Sequence, residues 1–227
     1  DMQDPEIASR IESYELAFRM QTAAPELIDL NGETAATQDA YGVNRAQHPQ
    51  ATGRGHVANA QLSFARNCLL ARRMVERGVR FVNIIYEAWD QHSSLEADLR
   101  YNSWVVDQPI AALIKDLKQR GLLETTIVIF SGEFGRTPFS QGSDGRDHNR
   151  GTFVTWLAGA GIQAGATHGK SDDLGYEAAE GKTMCYDLHA TALHLLGIDH
   201  TKLTYYNNGI QRRLTDVHGE VIRPLLA

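Results

Sequence analysis

The stretch that decides the fold is "VRFVNIIYEAWDQHSS", residues 79–94. Its first eight residues are rich in β-branched and aromatic side chains and almost entirely apolar, which is typical of a strand covered on both faces in a parallel sheet. The run then ends on Asp90 and His92, two polar side chains that an apolar core does not need. This pattern predicts a buried strand that delivers functional side chains at its carboxyl end.

Elements on either side extend this pattern into an alternation of helices and strands. Helical spacing of apolar residues predicts helices at about 62–78, 95–120 and 186–198, and apolar runs predict further strands within 125–130 and 152–162. Strands that alternate with helices favour a parallel sheet. We therefore predict an α/β fold with a mostly parallel, doubly wound sheet flanked by helices.

The organisation along the chain predicts two parts. Residues 1–55 combine one helical stretch with a polar run containing scattered Gly, Asn, Thr and Pro, which indicates a helical and extended N-terminal segment. Residues 56–227 carry the α/β alternation and all the candidate site residues. We expect the second part to contain the functional site.

Composition excludes several classes of function. The 227-residue chain has a formal charge of −6 and no long basic run, so nucleic acid is not an expected partner. No apolar stretch approaches the roughly 18 residues of a membrane span. The sequence also lacks a GxGxxG loop, a P-loop, a GxSxG elbow and an HExxH helix, which leaves nucleotide-binding, serine hydrolase and zincin readings without support.

Candidate ligands follow the predicted strands. In an open α/β sheet, ligands bind beyond the carboxyl ends of the strands. Asp90 and His92 follow the first strand, Glu133 follows the second, and His148 lies in the later loop "GRDHNRG". Two imidazoles and a carboxylate are ligands that Zn²⁺, Mn²⁺ or Fe²⁺ accept, with positions left for water or substrate. We predict that Asp90, His92 and His148 bind one divalent ion.

Structural interpretations of the same residues remain open. Asp90 could cap the following helix while His92 lies in a solvated loop, and Glu133 could pair with Arg136 at the strand end. His189 and His194 lie on an amphipathic helix, where packed or surface roles are expected. Asp172 and Asp173 in "HGKSDDLG" could bind a cation, and a tight turn explains them equally well.

Several motifs in order resemble the DUF1501 family, sulfatase-like proteins of the alkaline phosphatase superfamily. They are "WDQHSS", "SGEFGRTP", "GRDHNRG", "LAGAGI", "THGKSDDLG", "DLHATALHLLGID" and "RRLTDVHGEVI", which together run from about Phe64 to the C-terminus. The resemblance implies an alkaline phosphatase-like fold and a metal-dependent hydrolase of sulfate or phosphate esters. The chain resembles the C-terminal half of such proteins, so the fold is expected to be incomplete.

The resemblance also implies a ligand set and a substrate. In the superfamily one metal is held by an Asp closely followed by a His and by a later His, which matches Asp90, His92 and His148. The divalent ion is expected to be Zn²⁺, Mn²⁺ or Ca²⁺. Where relatives carry an Asp-His or Asp-Asn pair for a second metal, this chain reads Glu133-Phe134, so Glu133 is a candidate ligand and Phe134 is not.

Two further residues have expected roles if the chain is a metal-dependent ester hydrolase. Arg136 is the candidate anion clamp, because its planar fork of donors suits sulfate or phosphate oxygens. Asp147 is the candidate partner that orients His148. The catalytic nucleophile is expected upstream of this chain. The substrate is expected to be an anionic small-molecule or glycan ester, and the missing N-terminal half or a second copy is a possible protein partner.

The expected location and the rival functions complete the interpretation. Family members often carry export signals, which implies a periplasmic or extracytoplasmic protein. A non-haem iron oxygenase also uses two histidines and a carboxylate. The usual fold of such an enzyme is β-rich and its motif reads HxD, whereas this chain has α/β alternation and reads DxH. The stronger rival is a non-catalytic binding or scaffold protein that keeps the fold with an incomplete metal site.

Overall fold

A computed structural model describes residues 5–48 and 59–227. The boundary expected between residues 55 and 56 falls outside the described residues. None of the described helices is long and apolar enough to cross a membrane. The chain divides into two compact units, one comprising residues up to 87 with 103–113 and the other comprising 88–102 with 114–227.

The helices occur where apolar residues repeat at helical spacing. The predicted helices at 62–78, 95–120 and 186–198 are confirmed with small shifts at their ends, and the N-terminal helix is longer than the apolar pattern that indicated it. Pro109 lies inside the fourth helix without dividing it. The helices are α1 (Pro5–Ile28), α2 (Ala35–Tyr41), α3 (Ala60–Glu76), α4 (Leu95–Gln119) and α5 (Cys185–Leu195).

The strands are short and come in pairs. Each pair is antiparallel and forms a separate two-stranded sheet. The sheets are β1 (Ile127–Phe130) with β4 (Trp156–Gly159), β2 (Gly135–Arg136) with β3 (His148–Asn149), β5 (Lys170–Ser171) with β6 (Ala178–Glu180), and β7 (Thr204–Asn207) with β8 (Ile210–Arg213).

The predicted parallel, doubly wound, alkaline phosphatase-like sheet is therefore wrong for the described residues. Strands β1 and β4 do form within the predicted apolar runs, but they pair with each other antiparallel. Parallel neighbours need a crossover of a dozen or more residues, usually a helix. Residues 131–155, which join these two strands, contain only the β2–β3 hairpin and loops. The local pattern predicted the strands correctly, whereas their direction depended on the connection.

The stretch predicted as the central strand also differs from the prediction. Residues 81–90 form no strand in the structure. Phe81 is 73% exposed and Ile85 is 79% exposed, while Val82 and Ile84 between them are half-buried. The backbone thus shows the alternating exposure of an extended chain without a neighbouring strand among the described residues.

Each unit has its own buried centre. In the first, Leu69 of α3 and Val105 of α4 are fully buried, and Tyr41 at the end of α2 is 1% exposed. In the second, Ala190 and Thr191 of α5 are fully buried. The hydroxyl of Thr191 accepts a hydrogen bond from the backbone N–H of Ile222, which ties the C-terminal segment to the helix.

Candidate metal centre

Three predicted ligands meet in the second unit. Asp90 and His92 lie in the loop before α4, and His148 is the first residue of β3. The Nε2 atoms of His92 and His148 are 3.0 and 2.9 Å from Asp90 Oδ1, and they are 3.2 Å from each other. One ligand atom from each residue lies within 4.8 Å of the others, so this cluster can hold a metal ion.

The spacing of the cluster suits a small divalent ion. Tetrahedral Zn²⁺ with bonds of 2.0–2.1 Å separates its ligand atoms by about 3.3 Å. The three observed separations are only a few tenths of an ångström shorter, since they run from 2.9 to 3.2 Å. A slight outward movement of side chains that are 39–60% exposed would open the cluster to that size.

Gln141 fixes which nitrogen of His92 faces the cluster. The Nδ1 atom of His92 donates a hydrogen bond to Gln141 Oε1, because an amide oxygen can only accept. Its Nε2 atom is the nitrogen that faces Asp90 Oδ1, 3.0 Å away, and in the neutral Nδ1–H tautomer it is available as a metal ligand. Binding of a metal ion would replace the hydrogen bonds that the two imidazoles make to Asp90 in the metal-free protein.

Gln141 was not among the predicted site residues. It lies in the loop "SQGSDGRDHN", where nothing in the local sequence distinguishes it from a solvated glutamine. The only available signal was chemical: a metal-bound imidazole usually donates its second N–H to an acceptor. That rule predicts an acceptor near His92, but it does not identify the residue.

The β2–β3 hairpin places Arg136 beside the cluster. Arg136 and His148 are directly paired across the two strands. The guanidinium group donates to Asp90 Oδ1 at 2.8 Å and to the backbone carbonyl of Trp89 at 2.7 Å. Hydrogen bonds from His148 and then from Arg136 lower the pKa of Asp90 from 3.8 to about 2. Asp90 is therefore ionised, as a metal ligand must be.

Backbone contacts join the two loops that carry the ligands. The backbone N–H of Arg146 donates to the carbonyl of Gln91 at 2.9 Å, and the backbone N–H of Ser94 donates to Asp144 Oδ1 at 3.0 Å. Gly145 lies so close to His92 that a Cβ atom there would be 2.0 Å from its carbonyl oxygen. A glycine at this position is what permits the two loops to approach.

Phe134 forms one side of the cluster. Its ring centroid is 4.2 Å from that of His148, and the Arg136 guanidinium lies 5.5 Å from the same ring. Phenylalanine offers no ligand atom, as the sequence indicated. It instead shields one face of the His148 imidazole and limits how that ring can turn.

The remaining predicted site residues lie outside the ligand cluster. Glu133 is exposed in the loop after β1, and it is not one of the described residues whose ligand atoms converge. Asp147 accepts a hydrogen bond from the backbone N–H of His148 at 2.8 Å, so its carboxylate holds the backbone next to that ligand.

Asp172, which the sequence also offered as a cation ligand, caps a turn. Its carboxylate accepts from the backbone N–H groups of Tyr176 at 2.7 Å and Glu177 at 3.2 Å. This geometry agrees with the turn interpretation of "HGKSDDLG". His189 and His194 are exposed on α5, which agrees with the surface role expected for them.

Comparison with protein-family models assigns the chain to a family. The family described as "Protein of unknown function (DUF1501)" matches residues 1–226, so the chain belongs to the DUF1501 family. This match begins well upstream of Phe64, where the motif resemblance begins, and includes the N-terminal segment. No curated protein and no solved structure matches the chain.

Proposed function

We propose that this DUF1501 protein binds one divalent metal ion through Asp90, His92 and His148 and hydrolyses sulfate or phosphate esters there. The observation that carries the proposal is the convergence of one carboxylate oxygen and two imidazole nitrogens within 3.2 Å of one another. Two histidines and a carboxylate also leave coordination positions for water and substrate, as catalytic sites require.

The donor set narrows the choice of metal. Ca²⁺ prefers six to eight oxygen ligands, whereas two of the three donors here are imidazole nitrogens. Zn²⁺ and Mn²⁺ both accept imidazole with carboxylate. We therefore favour Zn²⁺ or Mn²⁺ over Ca²⁺ at this centre.

The bound ion would polarise the ester oxygen and lower the pKa of a coordinated water towards 7. The protein side chains supply orientation and charge around it. Gln141 accepts from Nδ1 of His92, which turns the Nε2 atom towards the cluster as the ligand atom. Arg136, held by Asp90 and the Trp89 carbonyl, presents its guanidinium beside the cluster as the anion clamp. Sulfate and phosphate oxygens are acceptors that this planar fork matches.

Two neighbouring carboxylates have supporting roles in the proposal. Asp147 holds the backbone of His148 and orients that ligand through it. Glu133 lies two residues after Ser131 on the loop that leads to β2, where it is free to reach an additional ion or water. Substitution of Glu133 by Gln is expected to leave the first metal bound and to change only hydrolysis.

Hydrolysis assays test the proposal directly. Protein loaded with one equivalent of Zn²⁺ or Mn²⁺ is expected to hydrolyse 4-nitrophenyl phosphate or 4-nitrophenyl sulfate, with the coordinated water as the nucleophile in place of an upstream side chain, and the metal-free protein is not. Arg136→Lys keeps the charge but loses the fork, so kcat should fall by about 100-fold with metal still bound. A metal-loaded protein inactive on both esters would contradict the hydrolase part of the proposal.

One observation favours a second candidate, a non-catalytic metal-binding protein. Phe134 packs against His148, and it stands at a position where the resemblance to the alkaline phosphatase superfamily implies a ligand for a second ion. A centre limited to a single ion could bind an anionic ligand through Arg136 without cleaving it. Stoichiometric metal, measurable binding of inorganic sulfate or phosphate, and no turnover of either ester together would identify this candidate.

Location is a separate part of the proposal. We infer from the resemblance to exported family members that the protein acts outside the cytoplasm. Fractionation of cells that express the natural gene tests this, and recovery of the protein only in the cytoplasmic fraction would contradict it.

A further inference from the structure

Ala88, which precedes the ligand Asp90 by two residues, has a left-handed backbone. Its φ angle is 78°, and this region is disfavoured for an alanine by roughly tenfold in population. A polar side chain can offset part of this cost through a local hydrogen bond, whereas a methyl group cannot. Among the described residues, the other non-glycine residues with positive φ all carry a polar side chain: Asn59, Ser94, Asn208 and Asp216. The conformation of Ala88 therefore has to be held by other parts of the chain.

Two buried amides hold the Ala88 carbonyl. The side-chain amides of Asn102 and Gln91 both donate to this oxygen. Asn102 is 1% exposed and Gln91 is 8% exposed. A buried N–H group without an acceptor is costly, so both amides favour the backbone arrangement that presents this carbonyl to them. Gln91 belongs to the same loop as Ala88, whereas Asn102 lies on α4 and so anchors the loop from a helix.

The turn at Ala88 sets the direction of the two residues that follow it. The carbonyl of Trp89 accepts from the guanidinium of Arg136 at 2.7 Å, and Asp90 Oδ1 accepts from the same group at 2.8 Å. A change of φ at Ala88 to the usual negative range would rotate the following chain by well over a right angle. That rotation would carry Trp89 and Asp90 away from Arg136, so the left-handed turn is part of the geometry of the cluster.

We propose that Asn102 is a positioning residue of the metal centre, because its amide holds Ala88 in the left-handed conformation and thereby directs Asp90 at the two histidine ligands. The inference rests on the proposed metal site and adds a residue of α4 to its construction. Asn102 acts through the backbone that carries the carboxylate, whereas Gln141 acts on the orientation of an imidazole.

Zinc affinity in a double-mutant cycle tests the inference. Asn102→Leu replaces the amide by an apolar group of similar size, and it is expected to weaken zinc binding by about tenfold, measured by competition with a chromophoric chelator. In an Ala88→Gly background the same substitution should weaken binding by no more than about twofold, because glycine adopts the left-handed conformation without this penalty. A role of Asn102 in packing alone would give the same loss in both backgrounds.

Gln61 offers a matched control outside the metal centre. It is 6% exposed on α3, and its amide donates to the carbonyl of Gly42, whose φ is also 78°. Gln61→Leu therefore removes the same kind of buried hydrogen bond from an amide to the carbonyl of a left-handed residue. Its zinc affinity should equal that of the unmodified protein, and the NMR spectrum of each variant reports whether it is folded.

NMR of the metal-free protein tests the backbone step without zinc. A left-handed residue brings its amide and Cα protons close together, so Ala88 should give a strong intraresidue NOE that weakens in Asn102→Leu. If Asn102→Leu does not fold, Ala88→Val carries the test, because a β-branched side chain opposes positive φ while Asn102 is unchanged. That variant should bind zinc at least about tenfold more weakly than the unmodified protein.

The outcomes separate this inference from the proposed metal site. Unchanged zinc affinity in folded Asn102→Leu or in Ala88→Val would overturn the inference and leave the metal site standing, as would an equal loss in the two backgrounds of the cycle. An unmodified protein that binds no zinc would overturn the metal site. In that case a weakened Ala88 NOE in Asn102→Leu would support the hold of Asn102 on the loop, and an unchanged NOE would overturn it.

Discussion

Two consecutive stretches of the chain differ in how their backbones are held. Between Phe81 and Ile85 the backbone is extended and forms no backbone hydrogen bond with any described residue. From Gln91 to Ser94 the backbone is bonded to the loop at 144–146 at both ends. The first stretch is among the most apolar in the chain, and the second is polar.

This difference shows what a β-strand and a ligand cluster each need in order to form. A strand satisfies its N–H and C=O groups only when another strand lies beside it, and an unpaired strand edge invites pairing with other polypeptide. The ligand cluster needs only two loops held together at a few points. This chain supplies those points for the cluster, whereas the described residues supply no partner for the extended stretch.

Removal of a ligand side chain should have the largest effect on the cluster. His92→Ala is expected to weaken zinc binding by at least about 100-fold, because one of the three donor side chains is lost. Elemental analysis after dialysis should then find little zinc in the variant. His189→Ala, an exposed histidine on α5, is the matched control and should retain one equivalent.

Forcing the two loops apart should have the next largest effect. Gly145→Ala places a methyl group against the backbone of His92, which is expected to lower the free energy of unfolding by about 1–3 kcal/mol and to weaken zinc binding. Urea denaturation measures the first effect. Gly32→Ala, where an added Cβ meets no atom within 4 Å, serves as control, and equal stability of the two variants would contradict the role of Gly145.

Loss of the acceptor beside His92 tests the orientation of the imidazole. Gln141→Leu is expected to weaken zinc binding by about tenfold. Nitrogen chemical shifts of the metal-free variant should show His92 leaving the Nδ1–H tautomer, which a merely structural change would not cause. Gln141→Glu keeps an acceptor oxygen and should preserve the tautomer, and Gln211→Leu on β8 should have no effect. An unchanged tautomer in Gln141→Leu would refute the assignment.

A smaller effect is expected from the charge next to Asp90. Because the pKa of Asp90 is lowered to about 2, the stability it contributes is present above about pH 4 and is lost as the pH falls through 2. The side chain is 60% exposed, so this contribution is below about 1 kcal/mol. Arg136→Gln should move the carboxyl pKa, followed by carbon NMR, upwards towards 3.8. A pKa that stays near 2 would show that His148 alone sets it.

The smallest effect is expected in the extended stretch. Phe81→Ser should change the free energy of unfolding by no more than about 0.5 kcal/mol, because this ring is 73% exposed. Leu69→Ala, at a fully buried position in the same unit, should cost about 2–5 kcal/mol. A loss of several kcal/mol in Phe81→Ser would show that the ring is covered by another polypeptide in solution.

The same contrast explains how far sequence could predict the fold. Helices α3, α4 and α5 follow from local apolar spacing, and strands β1 and β4 fall within apolar runs. Strand pairing is not local. The antiparallel β1–β4 pair follows from a connection without a crossover helix, and the run at 79–86 predicts burial without indicating what would cover it.

The ligand cluster was more predictable than the sheet. Asp90, His92 and His148 are few, chemically distinctive and close to one another in the structure, although the parallel sheet edge that was expected to bring them together does not form among the described residues. Gln141 and Gly145 could not be identified in advance, because their roles depend on which loops meet. The first acts through one hydrogen bond, and the second acts through the absence of a side chain.

X-ray absorption at the zinc edge of protein loaded with one equivalent of Zn²⁺ tests the central claim most directly. We predict a first shell of nitrogen and oxygen at about 2.0–2.1 Å, with multiple scattering from two imidazoles. His148→Ala should remove the signal of one of them. Zinc bound through sulfur, or with no imidazole in its shell, would contradict a centre built from Asp90, His92 and His148.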